Sequence, residues 1–126
     1  MMLPEKYQNN PVVRHAFEFA LLVDAYCSEL NSMHKFDLAR QLFRSGTSIG
    51  ANVWESQEAE SKSDFIHKMK LAAKEAQETY FWLLMCQNAP YPSPQNLLSK
   101  LDDIRRLLSS ILYSSKKTPP PPPDHP

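Results

Sequence analysis

A chain of 126 residues is long enough to bury a hydrophobic core as one domain without disulfides or metals. Hydrophobic residues make up 42% and charged residues 22%, and 14 Lys and Arg offset 14 Asp and Glu to zero formal net charge. This is the balance of an ordinary globular protein. It also argues against a surface wholly dedicated to nucleic acid, which must neutralise many phosphates, although local basic rows stay possible.

The N-terminal residues and the cysteines indicate the compartment. The first residues lack the basic-then-apolar pattern of a signal peptide, and no apolar run approaches the roughly 18 residues that cross a bilayer. We therefore expect a cytoplasmic protein with no membrane partner. Cys27 and Cys86 lie in separate amphipathic segments, outside any C-x-x-C pair. We expect two buried thiols that act as small hydrophobes, with a disulfide or redox pair as the alternative.

The first half of the chain predicts two helices. The first, over residues 11–31, begins with Asn10 as N-cap and Pro11 at the first helical position. Its inward face is formed by Val13, Ala16, Ala20, Val23, Cys27 and Leu30, at steps of three and four residues. The second helix is predicted over residues 37–57, with an inward face of Leu38, Leu42, Ser45, Ile49, Val53 and Ser56.

The second half predicts two more helices, over residues 62–88 and 94–115. Ser61 or Ser63 can cap the third helix, and Ser61-x-x-Asp64 forms an imperfect capping box because Asp is shorter than Glu. The prolines of segment 90–94 end it. The inward faces are Phe65, Met69, Ala72, Ala76, Tyr80 and Leu83, and then Leu97, Leu101, Ile104, Leu108 and Ile111.

Four helices with short connections and no strand pattern predict an all-α, antiparallel up-down four-helix bundle over residues 1–117. Residues 118–126 contain a run of five prolines and are predicted to form a disordered polyproline tail outside the fold. The tail is either a passive terminus or a ligand for a proline-recognising partner.

Several residues of the second and third helices predict a subunit interface. Both glycines of the chain, Gly46 and Gly50, lie inside the second helix, where each costs about 1 kcal/mol relative to alanine. With Ser48 and Ala51 they predict close approach of another backbone. Large side chains displaced from the inward faces favour a homo-oligomer, unless a wide core or the loops cover them. The interface candidates are Phe43, Gly46, Gly50, Trp54, Leu71 and Trp82.

A polar stripe lies beside the inward face of the second helix. It comprises Arg40, Arg44, Ser48, Asn52 and Glu55. Buried between subunits, these groups must pair internally, for example Arg with Glu and Asn with backbone. Exposed, they contact a ligand or solvent.

A basic row recurs on the outer face of the third helix, and an aromatic residue, Phe81, continues it. The candidate nucleic-acid-binding residues are His67, Lys70 and Lys74, with Arg105 and Arg106 from the fourth helix. Cations with an interleaved aromatic are typical of a surface that follows a phosphate backbone. A solvated helix face has the same pattern.

Nothing in the sequence points to catalysis. The carboxylates are scattered, and no Glu-x-x-His metal pattern is present. The four histidines do not stand at a recognisable spacing from a nucleophile, and neither glycine lies in a phosphate-binding loop. We expect a non-enzymatic protein with no metal and no cofactor.

The second helix also carries a family resemblance. Gln41-Leu-x-Arg44-Ser-x-x-Ser48-Ile-x-x-Asn52-Val-x-Glu55, followed by Ser61-x-x-x-Phe65 and an alanine-rich helix with Glu75 and Glu78, resembles the 23S rRNA-intervening-sequence proteins, or S23 proteins. The match covers residues 10–115. Ser56 departs from the pattern, because the family usually has Gly after the Glu.

The resemblance implies a bacterial four-helix bundle that assembles as a homopentamer. It also implies likeness to the accessory variability determinant of diversity-generating retroelements, which is strongly basic and binds nucleic acid. Two hypotheses follow for this neutral chain. It is a scaffold that binds RNA or DNA through basic rows on an oligomeric ring, or a protein-interaction scaffold that does not bind nucleic acid.

Overall fold

The computed structural model describes residues 3–117, so the tail predicted at 118–126 lies outside the described residues. A short 3-10 helix at Glu5–Tyr7 precedes four α-helices. These are α1 (Pro11–Ser32), α2 (Phe36–Ser56), α3 (Lys62–Gln87) and α4 (Gln95–Lys117). Residues 3–117 contain no strand. The all-α class is confirmed, and the observed bounds differ from the predicted ones only at the helix ends.

Each helix packs against its neighbour in the sequence, and α4 closes the bundle against α1. The short connections reverse the chain between helices, as in an up-down bundle. Contacts between α1 and α4 follow this antiparallel order. Tyr26, late in α1, donates its hydroxyl to Pro92 O before α4 at 2.7 Å. Glu18, earlier in α1, pairs with Lys100 inside α4 at 2.8 Å.

Side chains begin α1 and α3 as the sequence predicts. Asn10 accepts a hydrogen bond from Val13 N, at 3.4 Å, and Ser61 accepts one from Asp64 N, at 3.0 Å. The capping box predicted at the start of α3 is incomplete. The Asp64 carboxylate accepts from the backbone N–H of Glu60 at 3.2 Å, one residue before the cap, whereas a capping box bonds the cap residue itself.

A left-handed residue ends α1. His34 has φ of 61°, and its N–H donates to Asn31 O at 3.0 Å while Lys35 N donates to Leu30 O at 2.9 Å. These two bonds form a Schellman motif, which satisfies the last carbonyls of the helix. The motif turns the chain directly into α2.

The core lies between the four predicted inward faces. Most of the predicted residues are fully buried, and Cys27 and Cys86 are buried free thiols. Burial raises the pKa of Cys27 to about 12. Two large core residues of α1, Phe19 and Tyr26, lie outside the predicted inward face. Predicted core residues that are only half-buried are Ala20, Leu38, Phe65, Tyr80 and Ile111.

Two hydroxyl groups meet inside the core between α2 and α3. Ser45 and Thr79 are fully buried, and their side-chain oxygens hydrogen-bond at 2.9 Å. Thr79 also donates to Glu75 O in its own helix, at 2.7 Å. Because a buried polar group must find a partner, this pair favours a single rotation of α2 against α3.

The glycines of α2 serve packing within one chain. A β-carbon at Gly46 would lie 2.9 Å from Val23 Cγ2, and one at Gly50 would lie 3.4 Å from Ala16 O. The backbone predicted to approach α2 closely is therefore that of α1 in the same chain. Gly46 is buried and unavailable to a second subunit, which corrects its assignment to a subunit interface. Gly50 is half-buried.

The two glycines should respond oppositely to alanine. In Gly50→Ala the new methyl group makes ordinary contact, so the gain in helix propensity should raise the free energy of unfolding by about 1 kcal/mol. In Gly46→Ala the methyl group clashes with the stiff, buried Val23 side chain. Overpacking costs about 1–3 kcal/mol, so we expect a net loss of stability. Urea unfolding followed by circular dichroism measures both.

The control for this pair is Val23→Ala. Combined with Gly46→Ala it removes the clash, so the double variant should be more stable than the sum of the two single effects. Equal stabilisation by both glycine substitutions would contradict the close contact at Gly46.

Candidate functional site

One outward face of α3 carries the predicted basic row. Successive exposed residues stand three or four positions apart, which places them within about 80° of each other around the helix axis. We call this row the α3 stripe: His67, Lys70, Lys74, Gln77, Phe81 and Met85. The opposite face of α3 supplies Met69, Ala72, Ala76, Thr79, Leu83 and Cys86 to the core. The structure therefore places the row on the surface, where the sequence analysis expected it.

The basic side chains at the start of the α3 stripe have no partner in the described part of the chain. Within residues 3–117, the side chains of His67, Lys70 and Lys74 make no hydrogen bond or ion pair with another residue. Lys68 differs, because it points toward α2 and pairs with Glu55 at 3.2 Å. The ammonium groups of Lys70 and Lys74 are thus available to an anion outside the described chain.

The two arginines predicted on α4 have different partners. Arg105 donates to Gln77 Oε1 at 2.8 Å, and its guanidinium lies 4.8 Å from the centre of the Tyr80 ring, within cation–π range. Arg106 pairs with Asp102 of its own helix at 2.8 Å. Arg105 therefore joins the α3 stripe through Gln77, whereas the charge of Arg106 is locally neutralised.

Two neighbouring aromatic residues behave differently at the far end of the stripe. Phe81 is 56% exposed, while Trp82 is half-buried against the core. Their ring centroids are 5.0 Å apart with an interplanar angle of 75°, an edge-to-face contact. Trp82 Nε1 donates to Glu78 Oε2 at 3.0 Å. Trp82, an interface candidate, is thus largely covered by its own chain, and Leu71 is half-buried as well.

The polar stripe of α2 finds its partners inside the chain. Arg44 forms ion pairs with Glu75, at 3.3 Å, and with Glu78, both on α3. Glu55 also reaches α3, through Lys68. The remaining members bond within α2. These contacts are Arg40 with Asp37 at 3.0 Å, Ser48 Oγ to Arg44 O at 2.6 Å, and Asn52 Nδ2 to Ser48 O at 2.9 Å.

The pairing expected of this stripe between subunits therefore occurs between α2 and α3 of one chain. Its electrostatic effect is clear at Glu78. The hydrogen bond from Trp82, together with Arg44, holds the pKa of Glu78 below its usual value. Glu78 is accordingly an anion at neutral pH, balanced by Arg44.

A second surface lies between α1 and α2. Phe43 and Trp54 are 44% and 40% exposed. Trp54 forms one wall of an apolar groove of about 280 Å³, and its ring packs on Tyr7 with centroids 4.5 Å apart. We call this the α1–α2 groove. Its lining residues are Val13, Phe17, Ala20, Thr47, Gly50, Ala51 and Trp54.

Gln77 was not among the predicted site residues, and Glu78 was named only in the family motif, although both have a local signal. Gln77 stands between Lys74 and Phe81 at helical spacing and so belongs to the row. Glu78 stands one turn before Trp82, the spacing at which side chains on one helix meet. The partnership of Arg44 with Glu78 has no such signal, because the two residues are far apart in sequence.

No cluster of three or more His, Cys, Asp or Glu side chains in the described part of the chain is suited to hold a metal ion. None of the helices of residues 3–117 combines the length and the apolar character that a membrane span requires.

Comparison with known proteins identifies relatives. The model of the 23S rRNA-intervening sequence protein family matches residues 8–111. A solved structure from Bacteroides thetaiotaomicron VPI-5482, described as a protein with unknown function from the S23 ribosomal protein family, is 37% identical to this chain. The match covers 80% of this chain and 97% of that chain, with a TM-score of 0.75. No match was found among curated proteins.

The bond between Trp82 and Glu78 can be tested by titration. Trp82→Phe keeps an aromatic ring but removes the N–H donor, so the pKa of Glu78 should rise toward 4.5. A lowered carboxyl pKa stabilises the fold above the unfolded value and loses this effect as pH falls through the folded value. The variant should therefore lose less stability than the parent on acidification below about pH 5.

Carbon-detected NMR titration of the Glu carboxyl groups measures the shift. Glu18 serves as the control, because its pKa is lowered by Lys100 on another face of the bundle and should not change. A Glu78 titration unaltered by Trp82→Phe would show that the indole bond does not act on this carboxylate in solution.

Proposed function

Because the chain belongs to the 23S rRNA-intervening sequence protein family, we propose that it is a non-enzymatic four-helix-bundle scaffold that binds RNA or DNA through the α3 stripe. The related solved structure is itself described as having unknown function. The proposal therefore depends on the surface of this chain. The observation that carries it is the pair Lys70 and Lys74, exposed one turn apart without intramolecular partners.

Local charge supports the proposal despite the zero net charge. The carboxylates nearest the stripe on the α2 side are Glu75 and Glu78, and Arg44 pairs with both. Lys70 and Lys74 have no such counterpart within residues 3–117, so no ion pair offsets their charges. A phosphate backbone would release counterions on meeting these lysines, and that release drives nucleic-acid binding.

Self-association would bring several copies of a weak binding site together. We infer a homo-oligomer, a pentamer by resemblance to the family, that acts in the cytoplasm. The exposed Phe43 of α2 and the apolar α1–α2 groove support it, because exposed apolar surface is typical of an interface. Several identical stripes on one assembly would act together through effective concentration.

The alternative function is a protein-interaction scaffold with no affinity for nucleic acid. The α1–α2 groove favours it, since an apolar groove beside exposed aromatic side chains suits a protein partner better than a phosphate backbone. The two functions predict a different dependence of RNA binding on ionic strength.

Binding of a short single-stranded RNA should fall steeply with salt. Replacing both lysines in Lys70→Gln/Lys74→Gln should weaken binding at low salt. It should also reduce the slope of log K against log salt by about 1.4, because each phosphate of a single strand that a lysine neutralises adds roughly 0.7 to that slope. Fluorescence anisotropy at several salt concentrations measures both quantities.

The charge-matched control is Lys6→Gln/Lys35→Gln, which removes the same charge at two exposed positions away from the stripe. It should leave the slope unchanged. If the parent protein does not bind the RNA at low salt, or if its affinity does not depend on salt concentration, the protein-interaction scaffold remains as the function.

The proposed assembly predicts a change of mass in one variant. Phe43→Asp places a charge on the exposed apolar surface of α2, so it should convert oligomers to monomers in native mass spectrometry. Met85→Asp is the control, because Met85 is exposed to nearly the same extent, 46% against 44%, but lies on α3. Phe43→Asp with the parental mass would place the interface elsewhere.

A further inference from the structure

The Phe81 ring is largely exposed to solvent but is held in place by a neighbouring ring. More than half of its surface faces solvent, yet its edge-to-face contact with Trp82 restricts the ring. We propose that Phe81 is a stacking platform for an unpaired base, so that the ligand of the α3 stripe is single-stranded nucleic acid. This inference rests on the proposed function and specifies its ligand.

The ring of Phe81 is supported by a chain of contacts that begins on a different helix. Arg44 of α2 pairs with Glu78 of α3. The Glu78 carboxylate accepts the indole N–H of Trp82 at 3.0 Å, which fixes the orientation of the indole. Trp82 then contacts Phe81, with centroids 5.0 Å apart. Arg44, Glu78 and Trp82 are thus positioning residues, and Phe81 is the group that contacts the ligand.

The spacing along α3 suits one strand. Phe81 stands seven residues after Lys74, about 10 Å along the helix axis, and Lys70 stands about 6 Å further. Gln77 lies between Lys74 and Phe81 on the stripe. Its Oε1 accepts a hydrogen bond from the Arg105 guanidinium at 2.8 Å, which keeps this cation beside the stripe. A base on Phe81 would therefore leave the adjoining phosphates of the same strand to meet the cations.

Base pairing decides which nucleic acid can use this platform. In a duplex each base is stacked between its neighbours, and an outside ring reaches a base face only if the base is flipped out. An unpaired base offers its π-face directly, and aromatic side chains bind such bases with little regard to sequence. The arrangement of exposed ring and adjacent lysines is that of single-strand binding surfaces.

Removing the ring tests the platform. Phe81→Ala should weaken binding of a short single-stranded RNA by about 5- to 150-fold, the effect of losing one stacked base. The slope of log K against log salt should not change, because no charge is lost. Binding of a duplex of the same sequence should change less than about twofold. Tyr113→Ala is the control, since it removes another exposed aromatic ring, 61% exposed and on α4.

A double-mutant cycle tests the positioning role. Trp82→Phe removes the bond to Glu78 and should weaken single-strand binding several-fold while the Phe81 ring is present. In the Phe81→Ala background the same substitution should have no further effect, because no ring remains to be positioned. An equal loss in both backgrounds would mean that Trp82 acts through general stability, which would overturn the positioning role.

The outcomes separate this inference from the proposed function. If Lys70→Gln/Lys74→Gln lowers the salt slope but Phe81→Ala binds single strands like the parent, the stripe binds phosphates and the stacking platform is refuted. Equal losses for single strand and duplex in Phe81→Ala would refute the single-strand preference. A parent protein without nucleic-acid affinity would refute both proposals.

Discussion

The close contact between α1 and α2 at Gly46 is the constraint on which the other contacts of this bundle depend. Val23 occupies the space that a side chain at Gly46 would fill, which brings the two helices together and limits the rotation of α2. In that rotation Ser45 meets Thr79 in the core at 2.9 Å, and the adjacent Arg44 reaches the carboxylates of α3. Interiors pack densely enough that such a rotation is not freely adjustable.

The same rotation shapes the electrostatics of the surface. The composition is neutral, but the charges are unevenly engaged. Arg44 balances Glu75 and Glu78 on the α2 side of α3, while Lys70 and Lys74 on the outer side have no partner within residues 3–117. A neutral total therefore includes two neighbouring lysines whose charges are not offset by an ion pair within the described residues. Whole-chain charge describes solubility and long-range attraction better than it describes a particular site.

Much of the fold was predictable from local sequence patterns. The steps of three and four apolar residues placed Val53, Met69 and Ile104 correctly in the core, because helical periodicity depends only on neighbours along the chain. Caps such as Ser61 are local for the same reason. Periodicity was weaker at the edges of each face, where it missed Phe19 and overstated the burial of Tyr80. How far a face extends depends on the width of the neighbouring helix.

By itself the sequence determined the four helices, most of their inward faces, the basic row of α3 and the family motif, since all of these are readable from spacing within one segment. Only the tertiary structure decided which side chain contacts Gly46, what pairs with Arg44 and whether Trp82 is covered. These are contacts between residues distant in sequence, and their outcome depends on the relative rotation of packed helices. Spacing along one helix carries no information about that rotation, which is set by the combined packing of all four.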